Sequence, residues 1–99
     1  MVFLAILLPT AVFAGTPVKG VVNDATGYPL IGVMVYEPGT SNGTMTDIDG
    51  NYELTVSSDK ATISFSLMGY LEHTENVAGR TVINATLQDD TLPADESGY

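Results

Sequence analysis

Val18-Lys-Gly-Val-Val-Asn-Asp-Ala-Thr-Gly27-Tyr-Pro-Leu-Ile-Gly-Val-Met-Val-Tyr36 reads as two β-strands joined by a turn whose chemistry can be named. Val18, Gly20 and Val22 alternate onto one face of the first strand, with Lys19 and Asn23 on the other. Asn23 to Pro29 then supplies Asx-turn formers, a glycine free to take positive φ and a proline of fixed φ. Ile31 to Glu37 resumes as a second strand, and its near-continuous apolar run predicts partial cover on both faces.

The same grammar continues downstream. Pro38 to Gly43 is a loop, with Asn42-Gly43 as its strongest hairpin dipeptide, and a short strand through Thr44 and Thr46 follows. Asp47-Ile-Asp-Gly50 turns the chain into a strand with Tyr52, Leu54 and Val56 inward and Glu53 and Thr55 outward. After a turn at Ser57 to Lys60, Ile63, Phe65 and Leu67 alternate toward the core. Gly69 marks a bend, Tyr70 to Val77 forms a further strand, and Thr81 to Leu87 closes the set with Ile83, Ala85 and Leu87 on one face. No segment sustains a helical period, and strand spacing of this kind predicts two packed antiparallel sheets of about seven strands.

Outside this block the chain changes character. Val2 to Ala14 is apolar apart from Pro9 and Thr10, and it ends Val12-Phe13-Ala14 before Gly15. That is the pattern of a secretory h-region and cleavage site, although no Lys or Arg precedes it. It is shorter than the roughly 20 apolar residues a bilayer span needs. The expected organisation is an export signal at 1–14, a short leader at 15–17, a β-sandwich at 18–88 and an acidic linker or tail at 89–99.

The chain carries a net charge of −9 and no cysteine. An acidity of that size repels phosphate backbones and anionic lipid surfaces, which argues against nucleic acid or a membrane surface as partner. Without cystine, a small exported domain must rest on sheet packing or on a larger neighbour.

Catalytic chemistry is not evident. Thiol catalysis and thiolate metal sites are excluded, no serine stands in a nucleophile-elbow context, and His73 is the sole histidine. Asp47-Ile-Asp49-Gly50-Asn51 superficially suggests calcium. An EF-hand loop, however, places Gly sixth and Glu twelfth, whereas here Gly comes fourth and Ser58 twelfth. The segment reads instead as an Asx-type turn. Asn42-Gly-Thr44 and Asn84-Ala-Thr86 match the glycosylation acceptor pattern and are read as incidental. The tyrosines Tyr28, Tyr36, Tyr52 and Tyr70 are scattered over separate turns and strands and predict no sugar platform. No cofactor and no metal is expected.

Five motifs in order resemble one family. Val18-Lys-Gly20-Val-Val22 is similar to its first strand, and Gly27-Tyr-Pro29-Leu-Ile-Gly32-Val33 to the segment that follows. Gly39-Thr40 and Gly43-Thr44-Met-Thr46-Asp47-Ile-Asp-Gly50-Asn-Tyr52 match a third block. Phe65-Ser-Leu-Met-Gly69-Tyr70 matches a fourth, and Val82 to Leu87 resembles the closing strand. The family is the carboxypeptidase-regulatory-like β-sandwich, as found at the N-terminus of SusC/RagA-type TonB-dependent outer-membrane receptors. The resemblance implies a transthyretin-like (prealbumin-like) Greek-key sandwich. It also implies structural roles for Gly20, Gly27, Pro29, Gly32, Thr46, Asp47, Gly50, Tyr52, Gly69 and Tyr70, and it carries over no catalytic residue.

What the resemblance implies for function is a non-catalytic domain on the periplasmic side of the outer membrane. It would touch the plug and barrel of its own receptor or the TonB-type energy-transducing machinery. Leu92 to Tyr99 resembles a TonB box only faintly, with no valine run, and no plug or barrel sequence is present in these 99 residues. The chain is thus read as part of such a nutrient transporter, or as a domain standing alone. In the second case it would be a cell-surface or secreted glycan-binding or adhesion module, or an accessory domain of a secreted hydrolase.

Overall fold

The computed structural model describes residues 15–90. The export signal read at 1–14 and residues 91–99 of the acidic tail lie outside the described residues. Alternation of β-branched and polar residues gives seven strands: β1 (Thr16–Asp24), β2 (Met34–Tyr36), β3 (Gly43–Met45), β4 (Asn51–Val56), β5 (Thr62–Ser66), β6 (His73–Asn76) and β7 (Ala85–Leu87). They form two sheets, ordered β4-β1-β7 and β3-β2-β5-β6, so the chain passes repeatedly between layers. The all-β, seven-strand sandwich expected from the sequence is the fold found.

Period-two alternation places the core. Val18 and Val22 of β1, Tyr52, Leu54 and Val56 of β4, Ala85 and Leu87 of β7, and Ile83 just before it are buried on one layer. Val33, Val35, Ile63, Phe65 and Val77 face them from the other. The Phe65 ring meets Tyr52 edge-on, at 5.5 Å and 78°, and so joins the two sheets at their centre.

Several details differ from the expectation. β1 pairs antiparallel with β4 but parallel with β7, in the register Val22↔Ala85 to Asp24↔Leu87. A parallel pair needs a long connection, and here nearly the whole domain intervenes. β1 begins at Thr16, so Thr16 and Pro17, read as leader, pair with Val56 and Thr55. Pro17 is tolerated because it precedes the first bond from β1 toward β7, Lys19 N–H to the Thr81 carbonyl.

The strand read at 31–37 shrinks to β2, since Ile31 and Gly32 turn, and Ile31 and Met34 are exposed rather than covered. The strands read at 70–77 and 81–87 likewise shorten to β6 and β7. Hydrogen bonding runs on to Asp90, whose N–H donates to the Gly69 carbonyl, and Leu71 N–H donates to Gln88. Backbone groups pair there whatever the polarity of their side chains, so side-chain pattern did not mark the edge. The described residues contain no helix long and apolar enough to cross a membrane.

Candidate functional site

The residues singled out in the sequence gather into three local assemblies. The first centres on Gly20. A Cβ there would lie 2.0 Å from the Ile83 carbonyl oxygen and 3.1 Å from the Tyr52 ring. The Tyr52 hydroxyl donates to that same carbonyl at 2.6 Å. The β1–β7 ladder is open at this rung: Lys19 N–H bonds Thr81 and Ile83 N–H bonds Lys19, but Val21 N–H bonds the Asn84 side-chain oxygen at 2.9 Å. Asn84, read as an incidental glycosylation match, thus fills a gap in the sheet. Burial first, and the Glu75 charge second, push the Tyr52 phenol up to about 12, which keeps it a neutral donor.

The second assembly holds Pro29, Gly32, Thr46, Asp47 and Gly50. The buried Thr46 hydroxyl donates to the Leu30 carbonyl at 2.6 Å and accepts from Val33 N–H at 2.9 Å. Asp47 Oδ1 accepts from the N–H groups of Asp49 and Asn51, the Asx turn that the sequence predicts. Gly50 stands at φ +79°, and a Cβ there would approach the Val22 carbonyl to 2.7 Å and Pro29 to 3.1 Å. Leu30 N–H and the Gly50 carbonyl complete the seam on either side of Val22. Two loops are thereby sewn to the end of β1.

The third assembly is the turn at Gly69 and Tyr70, which pairs with 88–90. Gly27 lies apart, in a turn organised by Asp24, whose Oδ1 accepts from Thr26 N–H, the Thr26 hydroxyl and Tyr28 N–H. The Thr26 hydroxyl is the main reason that the Asp24 carboxyl is held below its ordinary value.

Glu37 was not legible as a site residue, being one acid at the end of an apolar strand. It is buried, and Oε1 accepts from Ser57 N–H at 3.1 Å and from the Asn42 amide at 3.2 Å. Oε2 takes the Ser57 hydroxyl, and the Asn42 amide also donates to the Thr55 carbonyl at 2.7 Å. This clasp ties the β2–β3 loop to the end of β4, and the turn falls at Pro38-Gly39 rather than at Asn42-Gly43.

The Ser57 hydroxyl bond above all lowers the Glu37 pKa, and the His73 bond followed by Arg80 lowers that of Glu75. A carboxylate with a lowered folded value contributes stability above its unfolded pKa and loses it as pH falls through the folded one. Urea midpoints should therefore be flat from neutrality to about pH 5 and fall below about pH 4.5. Glu37→Gln should flatten that acid limb and lower stability at pH 7 by about 1–3 kcal/mol. A variant as stable as the parent, with an unchanged acid limb, would show that the clasp carries no weight.

Chemically the surface is sparse. An open groove of about 750 Å³ crosses the outer face of the β4-β1-β7 sheet, lined among others by Lys19, Val21, Asn51, Glu53, Val82 and Asn84. It presents one amine, carboxylates and amides with no partnered nucleophile. His73 Nε2 lies 2.7 Å from Glu75, which Arg80 holds from the other side at 3.0 Å, so three side chains are linked along edge strand β6. No group of three or more His, Cys, Asp or Glu side chains fit to hold a metal ion occurs among the described residues. The aromatic rings are dispersed: Tyr52 and Phe65 are in the core, Tyr36 bonds Glu72, Tyr70 packs on the core, and Tyr28 is exposed in a turn.

With the geometry in place, comparison with known proteins is informative. The model of the CarboxypepD_reg-like domain matches residues 18–97. The chain belongs to this family. Relatives of this CarboxypepD_reg-like chain include the TonB-dependent receptor SusC of Bacteroides thetaiotaomicron, 43% identical over 79 residues, or 80% of the chain. The TonB-dependent receptor P39 of Formosa agariphila is 35% identical over 84% of the chain, and its receptor P3 is 33% identical over 77%. The chain spans about 8% of the length of each of these relatives. Among solved structures, a chain of the type II cohesin–X–dockerin complex of Acetivibrio cellulolyticus aligns with a TM-score of 0.56 at 27% identity. That alignment covers 73% of this CarboxypepD_reg-like chain and 53% of the other.

Proposed function

We propose that this CarboxypepD_reg-like domain is the non-catalytic N-terminal periplasmic domain of a TonB-dependent outer-membrane nutrient transporter, acting through protein–protein contact. The observation that carries the reading is the likeness over most of the chain to three TonB-dependent receptors, of each of which the matched segment is about 8%. The structure supports it indirectly. The residues of the family motifs are occupied in sewing loops and rungs together, and Asp24, Glu37, Asp47 and Glu75 are each held by backbone or side-chain partners. Fold by itself would not decide function.

Reading the gene upstream of Met1 and beyond the codon for Tyr99 tests this directly. The expected result is an open frame that continues into a plug and a long series of amphipathic strands. A stop codon straight after Tyr99 would overturn the transporter reading and leave an independent exported sandwich. Where the frame is open, removing residues 15–90 should abolish or reduce nutrient uptake while the barrel still inserts. Full uptake without them would reject a role in transport.

A further inference from the structure

The exposed apolar side chains are not spread evenly. Eight large hydrophobic residues are exposed among the described residues, and all but Val82 lie at one pole of the sandwich. The pole is defined by backbone contacts. Asp24 at the end of β1 pairs with Leu87, and Leu30 N–H and the Gly50 carbonyl meet Val22. Gly32 N–H bonds Thr46, Met34 pairs with both Met45 and Ser66, and the turn 69–71 pairs with 88–90. Met68 is 95% exposed, Ile48 74%, Tyr28 72%, and Ile31 and Met45 58% each. Side chains of this kind, held outward on loops that Thr46, Asp47 and Asp24 lock by hydrogen bonds, form a preorganised contact face rather than a stray leucine or two.

Two further observations say what meets it. The described residues end at this same pole, at Asp90, and the nine residues that follow can span at most about 30 Å from there. Whatever follows on the polypeptide is thereby held close, at a high effective concentration. The pole is also of one sign. Asp24, Asp47, Asp49, Glu72, Asp89 and Asp90 belong to it. Of the bases, Lys60 and Arg80 lie at the opposite pole, where Gly79 N–H bonds Asp59 and Val77 N–H bonds Ala61, and Lys19 stands midway along β1, in the groove that Met45 and Asp47 border. An apolar face rimmed with acids fits an apolar surface flanked by Lys and Arg.

We infer that this loop pole is the docking face for the portion of the same polypeptide that follows Tyr99, through a basic-flanked apolar surface of that portion. The inference rests on the transporter reading above and names the face and the partner within it. Contact here sets the orientation of the domain beneath the rest of the receptor, with the opposite pole, where β1 starts, facing away.

Photocross-linking in the full-length receptor tests the assignment. p-Benzoylphenylalanine is placed at Ile48, Met45 or Met68, or at Lys60 on the opposite pole, and the products are mapped by mass spectrometry. Cross-links from the three pole positions to residues beyond Tyr99 of the same polypeptide, with none from Lys60, are expected. Ile48→Asp together with Met45→Asp should cut the Met68 cross-link roughly tenfold, as loss of a hot spot does. Both side chains are exposed, so the melting temperature should not move. Cross-links to a second copy or to another protein, equal yields from both poles, or none at all would overturn the assignment. An open reading frame with any of those outcomes sinks the docking face alone, whereas a frame closed at Tyr99 sinks the transporter reading and this one together.

Discussion

Replacing Gly20 by Ala should cost about 3–5 kcal/mol, a large share of the stability of a domain that has on the order of 5–10 kcal/mol. The added Cβ would stand 2.0 Å from the Ile83 carbonyl oxygen, which is backbone and cannot rotate away. Relief requires the 81–84 segment to retreat from β1. That movement stretches the Lys19–Thr81 and Ile83–Lys19 backbone bonds, the Tyr52 hydroxyl bond and the Val21–Asn84 bond together. Substitution by a larger residue should be worse still, since the Tyr52 ring closes the other side at 3.1 Å.

Tyr52→Phe provides the comparison. It keeps the ring and its edge contact with Phe65 but removes the donor to Ile83, so about 1–2 kcal/mol should be lost. In a double-mutant cycle the two changes should be strongly non-additive, because both act on one carbonyl. Urea denaturation of residues 15–99 reads both. Should Gly20→Ala prove no more destabilising than Tyr52→Phe, the close approach of β1 to Ile83 would not be the constraint described.

Phe65→Ala is expected to lose about 3–5 kcal/mol by leaving a cavity between the sheets. Phe65 is fully buried on β5, flanked in register by Val35 and His73 and met from the other sheet by the Tyr52 ring. Its ring is therefore the piece that both layers share. Phe65→Leu retains much of that volume and should cost less than about 1.5 kcal/mol. The near-ultraviolet signal of the tyrosines should weaken in the Ala variant as Tyr52 loses its partner. A loss below about 1 kcal/mol for Phe65→Ala would mean that the sheets close without it and that the core is centred elsewhere.

How far the sequence could be read is clear from particular residues. Alternation alone places Tyr52, Leu54 and Val56 inward, and they are buried with Glu53 and Thr55 exposed between them. Ile83, Ala85 and Leu87 followed the same rule. The Asp47 turn was legible because Asx chemistry and a glycine at positive φ are local properties of a few adjacent residues. Strand ends were less legible. Ile31 and Gly32 continue an apolar run in sequence yet turn in space, where Gly32 takes φ +80° and donates its N–H to the Thr46 carbonyl.

The sequence by itself thus determined what local stereochemistry and a period of two can determine: an all-β chain, several of its turns, most of its inward residues and its family. Only the tertiary structure decided which strands meet. It set β1 parallel to β7, placed a carbonyl where the side chain of residue 20 would be, buried Glu37 under Ser57 and Asn42, and brought the apolar loop tips to the pole where the chain departs. Each of these joins residues far apart along the chain, such as Val21 and Asn84. No spacing rule encodes such contacts, because they exist only once two sheets have closed on one another.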